Sequence, residues 1–210
     1  MPVLRFKTDA DVVKFAKKFL DEHVERFDKD IAICLRPDKN RSHAYFPALI
    51  TCIAFAELLS GLHAGNLESR DSLKKLDDYA SNFMDRTVYD SDRLEILYKM
   101  FRHKVAHLAQ PYAVFDTKTK FPRQPRRLIT WTVEEGGQKP AVEIVPETSP
   151  QQILRAVTPW PVHYDHRAVV RIESLASDIS KSVPRYLQRL ETDDSACDRF
   201  KACMKDFYPR

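Results

Sequence analysis

The stretch from about Tyr45 to His63 places the tightest limit on the fold. Leu49, Ile50, Ile53, Phe55, Leu58, Leu59 and Leu62 spread around most of a helical circumference instead of keeping to one stripe. A helix apolar on nearly every side must be enclosed by other elements, so this segment predicts a central, buried helix. Pro47 is tolerated in its first turn, and Gly61 and Gly65 are stop signals. The longest apolar run, Ala48 to Leu59, reads as too short to span a bilayer and contains Glu57.

The flanking segments supply the cover. Thr8-Asp9 is a helix N-cap, and Val12, Ala16, Phe19, His23, Phe27 and Ile31 follow at helical spacing. Polar residues from Arg36 to Ser42 break the pattern. A third helix, roughly Ser69 to Met84, is amphipathic through Leu73, Leu76, Tyr79, Ala80 and Phe83. Asp90-Ser91-Asp92 can cap a fourth, from about Arg93 to Leu108, which Pro111 ends.

Beyond Pro111 the character changes, since eight of the 13 prolines lie between Pro111 and Pro161 and exclude long helices there. Leu128 to Glu134 and Ala141 to Val145 alternate like strands around Glu-Gly-Gly-Gln, which reads as a β-hairpin. An isolated hairpin is marginal, so it must pack on the helices or on a partner. Trp131 on its first strand is expected to pack on the bundle, with stacking on a nucleic-acid base as the alternative. His163 and His166 are expected in a loop, against Trp160 and Tyr164. A last long helix, about Asp165 to Leu190, has Pro184 kinking or dividing it, and Cys197 to Phe207 adds a short terminal helix. The fold class expected is mainly α: one helical domain over 1–210 with a proline-rich hairpin insertion at about 111–162.

Composition narrows the functional classes. Only 4 glycines argue against a glycine-rich phosphate loop, a propeller or a tight-turned barrel. A net charge of +4 permits nucleic acid as a partner without demanding it. Cys34, Cys52, Cys197 and Cys203 form no C-x-x-C pair and have no histidine at zinc-finger spacing. The first residues lack the apolar core of a signal peptide, so a cytoplasmic location is expected.

The fourth helix carries the residues with chemical potential. Leu94, Leu97, Tyr98, Phe101, Val105 and Leu108 form its core stripe. On the opposite side His103 and His107 stack at i, i+4 beside Ile96 and Met100, and Arg102 lies on the flank, roughly 140° from His107. A second semi-apolar face implies another covering surface, the same helix of a second copy being one candidate. His103 and His107 have the spacing of two metal ligands, but no third group completes a set, so neither metal nor cofactor is expected. The basic run Lys118, Lys120, Arg123, Arg126, Arg127 contains no acidic residue. It reads as a solvated loop or as a track for an RNA backbone.

The run Phe-Arg102-His103-Lys-Val-Ala-His107-Leu resembles the R-x(4–6)-H signature of HEPN-domain proteins, and the likeness extends over about 45–111, a third of the chain. The proline-rich region beyond has no counterpart in that resemblance. It implies a helical bundle acting as a metal-independent endoribonuclease of toxin or defence type, as a homodimer, with RNA and an antitoxin-like protein as partners. His107 would be the base or acid, Arg102 the phosphate clamp, and His103 a second donor or orienter. The residues leave a second reading open, a non-catalytic helical dimerisation or interaction module in which Arg102 holds a carboxylate such as Glu95 or Glu57.

Overall fold

A computed structural model describes residues 6–39, 43–102, 115–116, 127–137, 140–147 and 164–207. The fold is mainly helical. Helix α1 runs Asp9–Cys34, α2 Tyr45–Ala64, α3 Ser72–Phe83, and α4 Ser91–Ile96, which passes into a π-helical turn at Leu97–Arg102. Strands β1 (Phe115–Asp116), β2 (Leu128–Glu134), β3 (Val142–Pro146) and β4 (His166–Arg171) precede α5 (Ile172–Thr192) and α6 (Asp194–Phe207).

The helix starts follow local chemistry. At α1 the Thr8 hydroxyl accepts from the Asp11 amide at 3.2 Å while the Asp11 carboxylate accepts from the Thr8 amide at 3.0 Å, a reciprocal capping box. Asp90 caps α4 by accepting from the Arg93 amide at 2.8 Å. Helix α3 starts three residues later than the apolar pattern suggests, because Asp71 adopts a left-handed conformation (φ 61°) and forms the corner.

Helix α2 is the centre. By length and composition it could cross a membrane, extending well past the Ala48–Leu59 run; here α1, α3, α5 and α6 pack around it. Ala48, Leu49, Cys52, Leu59 and Leu62 are wholly enclosed, and burial pushes the Cys52 thiol far above its usual range. Helix α5 buries Ile172, Leu175, Ala176, Ile179, Val183, Tyr186 and Leu190. It runs unbroken through Pro184, so that proline does not divide it.

The sheet departs from the sequence expectation. Strands β2 and β3 are not a hairpin. The order is β1-β2-β4-β3, with β4 between them, parallel to β2 (Val133 beside Val170) and antiparallel to β3 (Ile144 beside Ala168). His166 therefore opens a strand, not a loop, and the first residues assigned to the last helix are extended. The physical reason is legible in β4 itself. Ala168, Val169 and Val170 are buried in succession, as an interior strand requires, and β-branched valines favour extended backbone.

Arg171, the last residue of β4, clasps this arrangement. Its side chain is only 6% exposed; Nε donates to Glu134 of β2 at 3.1 Å, Nη2 to Glu143 of β3 at 3.0 Å and Nη1 to the Pro140 carbonyl at 2.8 Å. The sheet meets the helices through Trp131, whose ring sits edge-on to Phe46 of α2 (5.6 Å) and Phe101 of the π turn (6.1 Å). Ile96 and Met100, on the second face of the fourth helix, are fully enclosed within one chain. Strand β3 packs on α4, so that part of the face is covered intramolecularly and not by a second copy.

At the far end of α2, His63 is enclosed by Tyr79 and Phe83 of α3 and Tyr186 of α5, with Nε2 3.1 Å from Asp78. Burial lowers its basicity, and Arg199 adds to this, although Asp78 pulls the other way.

Two outcomes follow from these contacts. Replacing Arg171 with Met removes all three bonds and should lower stability by about 2–3 kcal/mol in urea titration, with loss of β signal in circular dichroism. His63 folds as the neutral form, whereas the unfolded imidazole takes up its proton near the ordinary value of 6.5. Its contribution is therefore complete above that pH and is lost as pH falls toward the lowered folded value. Urea midpoints at pH 7.5 and 5.5 should diverge less in His63→Gln than in the parent chain.

Candidate functional site

Arg102 lies at the end of the π turn and borders an open pocket of about 230 Å³ with a mixed polar and apolar lining. The walls are the second half of α2 (Glu57, Ser60, Gly61), the segment Asn66–Ser69, the first turn of α3 (Ser72, Lys75) and Phe207 at the end of α6. Each wall is fixed by short-range chemistry. Gly65 closes α2 in a left-handed conformation (φ 76°), and the Asn66 amide turns back to the Gly61 carbonyl at 3.0 Å. Lys75 then donates to the carbonyls of Asn66 (2.9 Å) and Glu68 (2.8 Å), which ties the following segment to α3. From α6, Arg199 donates to the His63 carbonyl at 2.7 Å, satisfying one of the last acceptors of α2.

Gly61 is required for closeness. A Cβ there would stand 2.9 Å from Leu67 Cδ2 and 3.2 Å from the Asn66 carbonyl. With a larger residue at this position, the Leu67 side chain would have to move aside and the Asn66 carbonyl to give by a few tenths of an ångström.

The Arg102 side chain is 29% exposed, and its Nε donates to Glu57 Oε2 at 3.2 Å. Its guanidinium carbon lies 5.7 Å from the centre of the Tyr98 ring, a cation–π contact. Burial raises the Tyr98 phenol, with Glu57 adding to the rise and Ser72 opposing it. Of the two carboxylates considered for Arg102, Glu57 is the partner, and Glu95 is paired with Lys99 at 3.0 Å instead.

The π geometry was not foreseen. Every residue from Leu94 to Phe101 except Lys99 is buried, so only the Glu95–Lys99 side is left to mark an ordinary helical period. A π turn widens the helix by one residue, which changes the direction of Arg102 relative to an α-helical wheel. Such turns recur at functional positions in helices.

The other residues of the expected site divide in two. His103, His107, Lys118, Lys120, Arg123 and Arg126 lie outside the described residues. Arg127 is placed, and its Nη2 donates to Asp92 at 2.6 Å, joining the start of β2 to the start of α4. Among the described residues no group of three or more His, Cys, Asp or Glu side chains is placed to hold a metal ion. Glu57 had a sequence signal of its own, as the one charged residue between Tyr45 and Leu62. A charge inside an apolar helix needs a partner from elsewhere.

Comparison with protein-family models, with curated proteins and with solved structures finds no match to this chain.

The wall geometry can be tested directly. Gly61→Ala should cost about 1–3 kcal/mol, because the added methyl forces Leu67 and the Asn66 carbonyl outward. A thermal melt measures it, and an unshifted midpoint would show that the segment yields freely.

Proposed function

We propose that this chain is a metal-independent endoribonuclease of HEPN type, built as a homodimer around Arg102, His103 and His107. The observation that carries the reading is the placement of Arg102 at the end of a π turn, on the rim of an open pocket, with its guanidinium steadied through Nε. A guanidinium so held suits the phosphate of a nucleic-acid backbone, because it stays charged and its fork matches two phosphate oxygens.

The chemistry follows from these side chains. One imidazole takes the proton from a ribose 2′-hydroxyl, and the freed oxygen attacks the neighbouring phosphorus. As that bond forms the bond to the 5′-oxygen breaks, and the leaving oxygen receives a proton from the second imidazole or from water. Arg102 stabilises the charge that collects on the non-bridging oxygens. His107 serves as base or acid and His103 as donor or orienter. Pairing the fourth helix across two copies brings an arginine and a histidine to one phosphate. The basic run from Lys118 to Arg126 would follow the backbone, with an antitoxin-like protein as the natural inhibitor of an enzyme of this type.

A second reading is favoured by the same ion pair. With Glu57 as a partner, Arg102 has a structural occupation, and the chain would serve as a helical interaction module without catalysis.

Incubation of the pure protein with mixed RNA in chelator separates the two. The enzyme reading expects cleavage products with cyclic phosphate ends, abolished in His107→Ala and reduced about 10²–10³-fold in Arg102→Ala. A folded parent protein that leaves RNA intact across a range of salt concentrations would sink it and leave the interaction module. Light scattering after size exclusion should return a dimer mass at micromolar concentration; a clean monomer would remove the composite site.

A further inference from the structure

We infer that Glu57 is a positioning residue for Arg102, presenting the nitrogens of its guanidinium to the scissile phosphate; this rests on the ribonuclease reading above. Glu57 is the one charge in a twenty-residue helix at the heart of the protein, and it sits on the turn facing the pocket. Its side chain is 18% exposed, and a carboxylate so placed is costly unless its bonds are made. The bonds are only partly made. Oε2 accepts from Arg102 Nε, while Oε1 is buried and has no hydrogen-bond partner among the described residues.

Stability alone does not account for such a pair. Two partly buried ions held through one nitrogen return little of their lost hydration, and an apolar pair of similar volume would serve the core as well or better. What the carboxylate does supply is direction. A contact at Nε fixes the plane of the guanidinium about its long axis, and the Tyr98 ring 5.7 Å from its carbon limits movement on another side. Among the described residues the contact through Nε is the hydrogen bond Arg102 makes, so its Nη nitrogens are left for an oxyanion entering from the pocket. The negative charge of Glu57 also keeps Arg102 from gripping ground-state RNA as tightly as a bare cation would. A contact that limits ground-state binding while ordering the transition-state donor raises turnover, not affinity.

The signature is therefore a split between kcat and KM. On a single-site RNA oligonucleotide, Glu57→Ala should lower kcat by about 10–100-fold, with KM unchanged or lower. Glu57→Gln keeps an acceptor for Nε and should recover kcat to within about five-fold of the parent. It also carries the test if the alanine variant does not fold. In an Arg102→Ala background, Glu57→Ala should add less than about two-fold, because the two residues act as one unit. Full kcat in Glu57→Ala, or two losses that multiply independently, would overturn the inference while leaving the ribonuclease reading intact.

Binding to a 2′-O-methyl oligonucleotide, read by fluorescence anisotropy, separates the two claims. A parent protein that binds this analogue yet leaves the unmodified RNA of the same sequence intact defeats the ribonuclease reading. In that case, tightening by Glu57→Ala that disappears with Arg102→Ala keeps Glu57 as the residue that sets the arginine. An unchanged affinity would overturn that as well.

Discussion

A helix that offers no polar side to water must be closed in from every direction, and α2 imposes that demand on the whole chain. Helices α1, α3, α5 and α6 each give it an apolar stripe, while the sheet reaches its first turn through Trp131 and Phe46. Burial of apolar surface drives this arrangement. The ends of α2 are where polarity has to be settled, so the conformational and electrostatic detail gathers there: the left-handed Gly65, the Arg199 bond to the His63 carbonyl, and the Lys75 bonds to the following segment. The pocket beside Arg102 is a by-product of that closure. The chain turns back sharply at Gly65 and passes close over Gly61, leaving a cleft against the end of the π turn.

Most of the ionisable groups described in the interior stand where separate elements meet, the Glu95 pair within one helix being the exception. Arg171 joins three segments of the sheet region, Glu95 holds Lys99 one turn along, His63 meets Asp78 from α3, and Glu57 meets Arg102 from the fourth helix. Hydrophobic packing is tolerant of which neighbour sits where, whereas a buried charge accepts few partners. In this chain they fix which element lies beside which, most plainly where Arg171 draws Glu134 and Glu143 to either side of β4.

Helix by helix, periodicity located α1 to α3 and α6 to within about three residues; α1 has a recognisable start at Thr8, and α2 was marked by its nearly continuous apolar run. The sheet was harder. Two strands near a Gly-Gly pair look like a hairpin when read locally, and the insertion of β4 between them depends on contacts across more than twenty residues. His166 to Arg171 was misread because Val169 and Ile172 happen to continue the apolar spacing of α5. At the site, Arg102 and two candidate carboxylates, Glu57 and Glu95, could be read from the sequence, and the structure chooses Glu57. The π turn could not, since a segment buried on nearly every side carries little phase to separate one helical pitch from another. Arg127, read as part of a basic track, turns out to be matched by an acid far away in sequence, which a local count of charge does not see.

The junction between Arg171 and Ile172 has a mechanical consequence. No linking residue separates β4 from α5, so the interior strand of the sheet and a long core helix are one continuous rod with a bend in it. A displacement of the sheet cannot be absorbed in a slack connection; it is carried into α5, and from there to the helices packed on it. The two halves, different as they are in architecture, are thereby made to give way together.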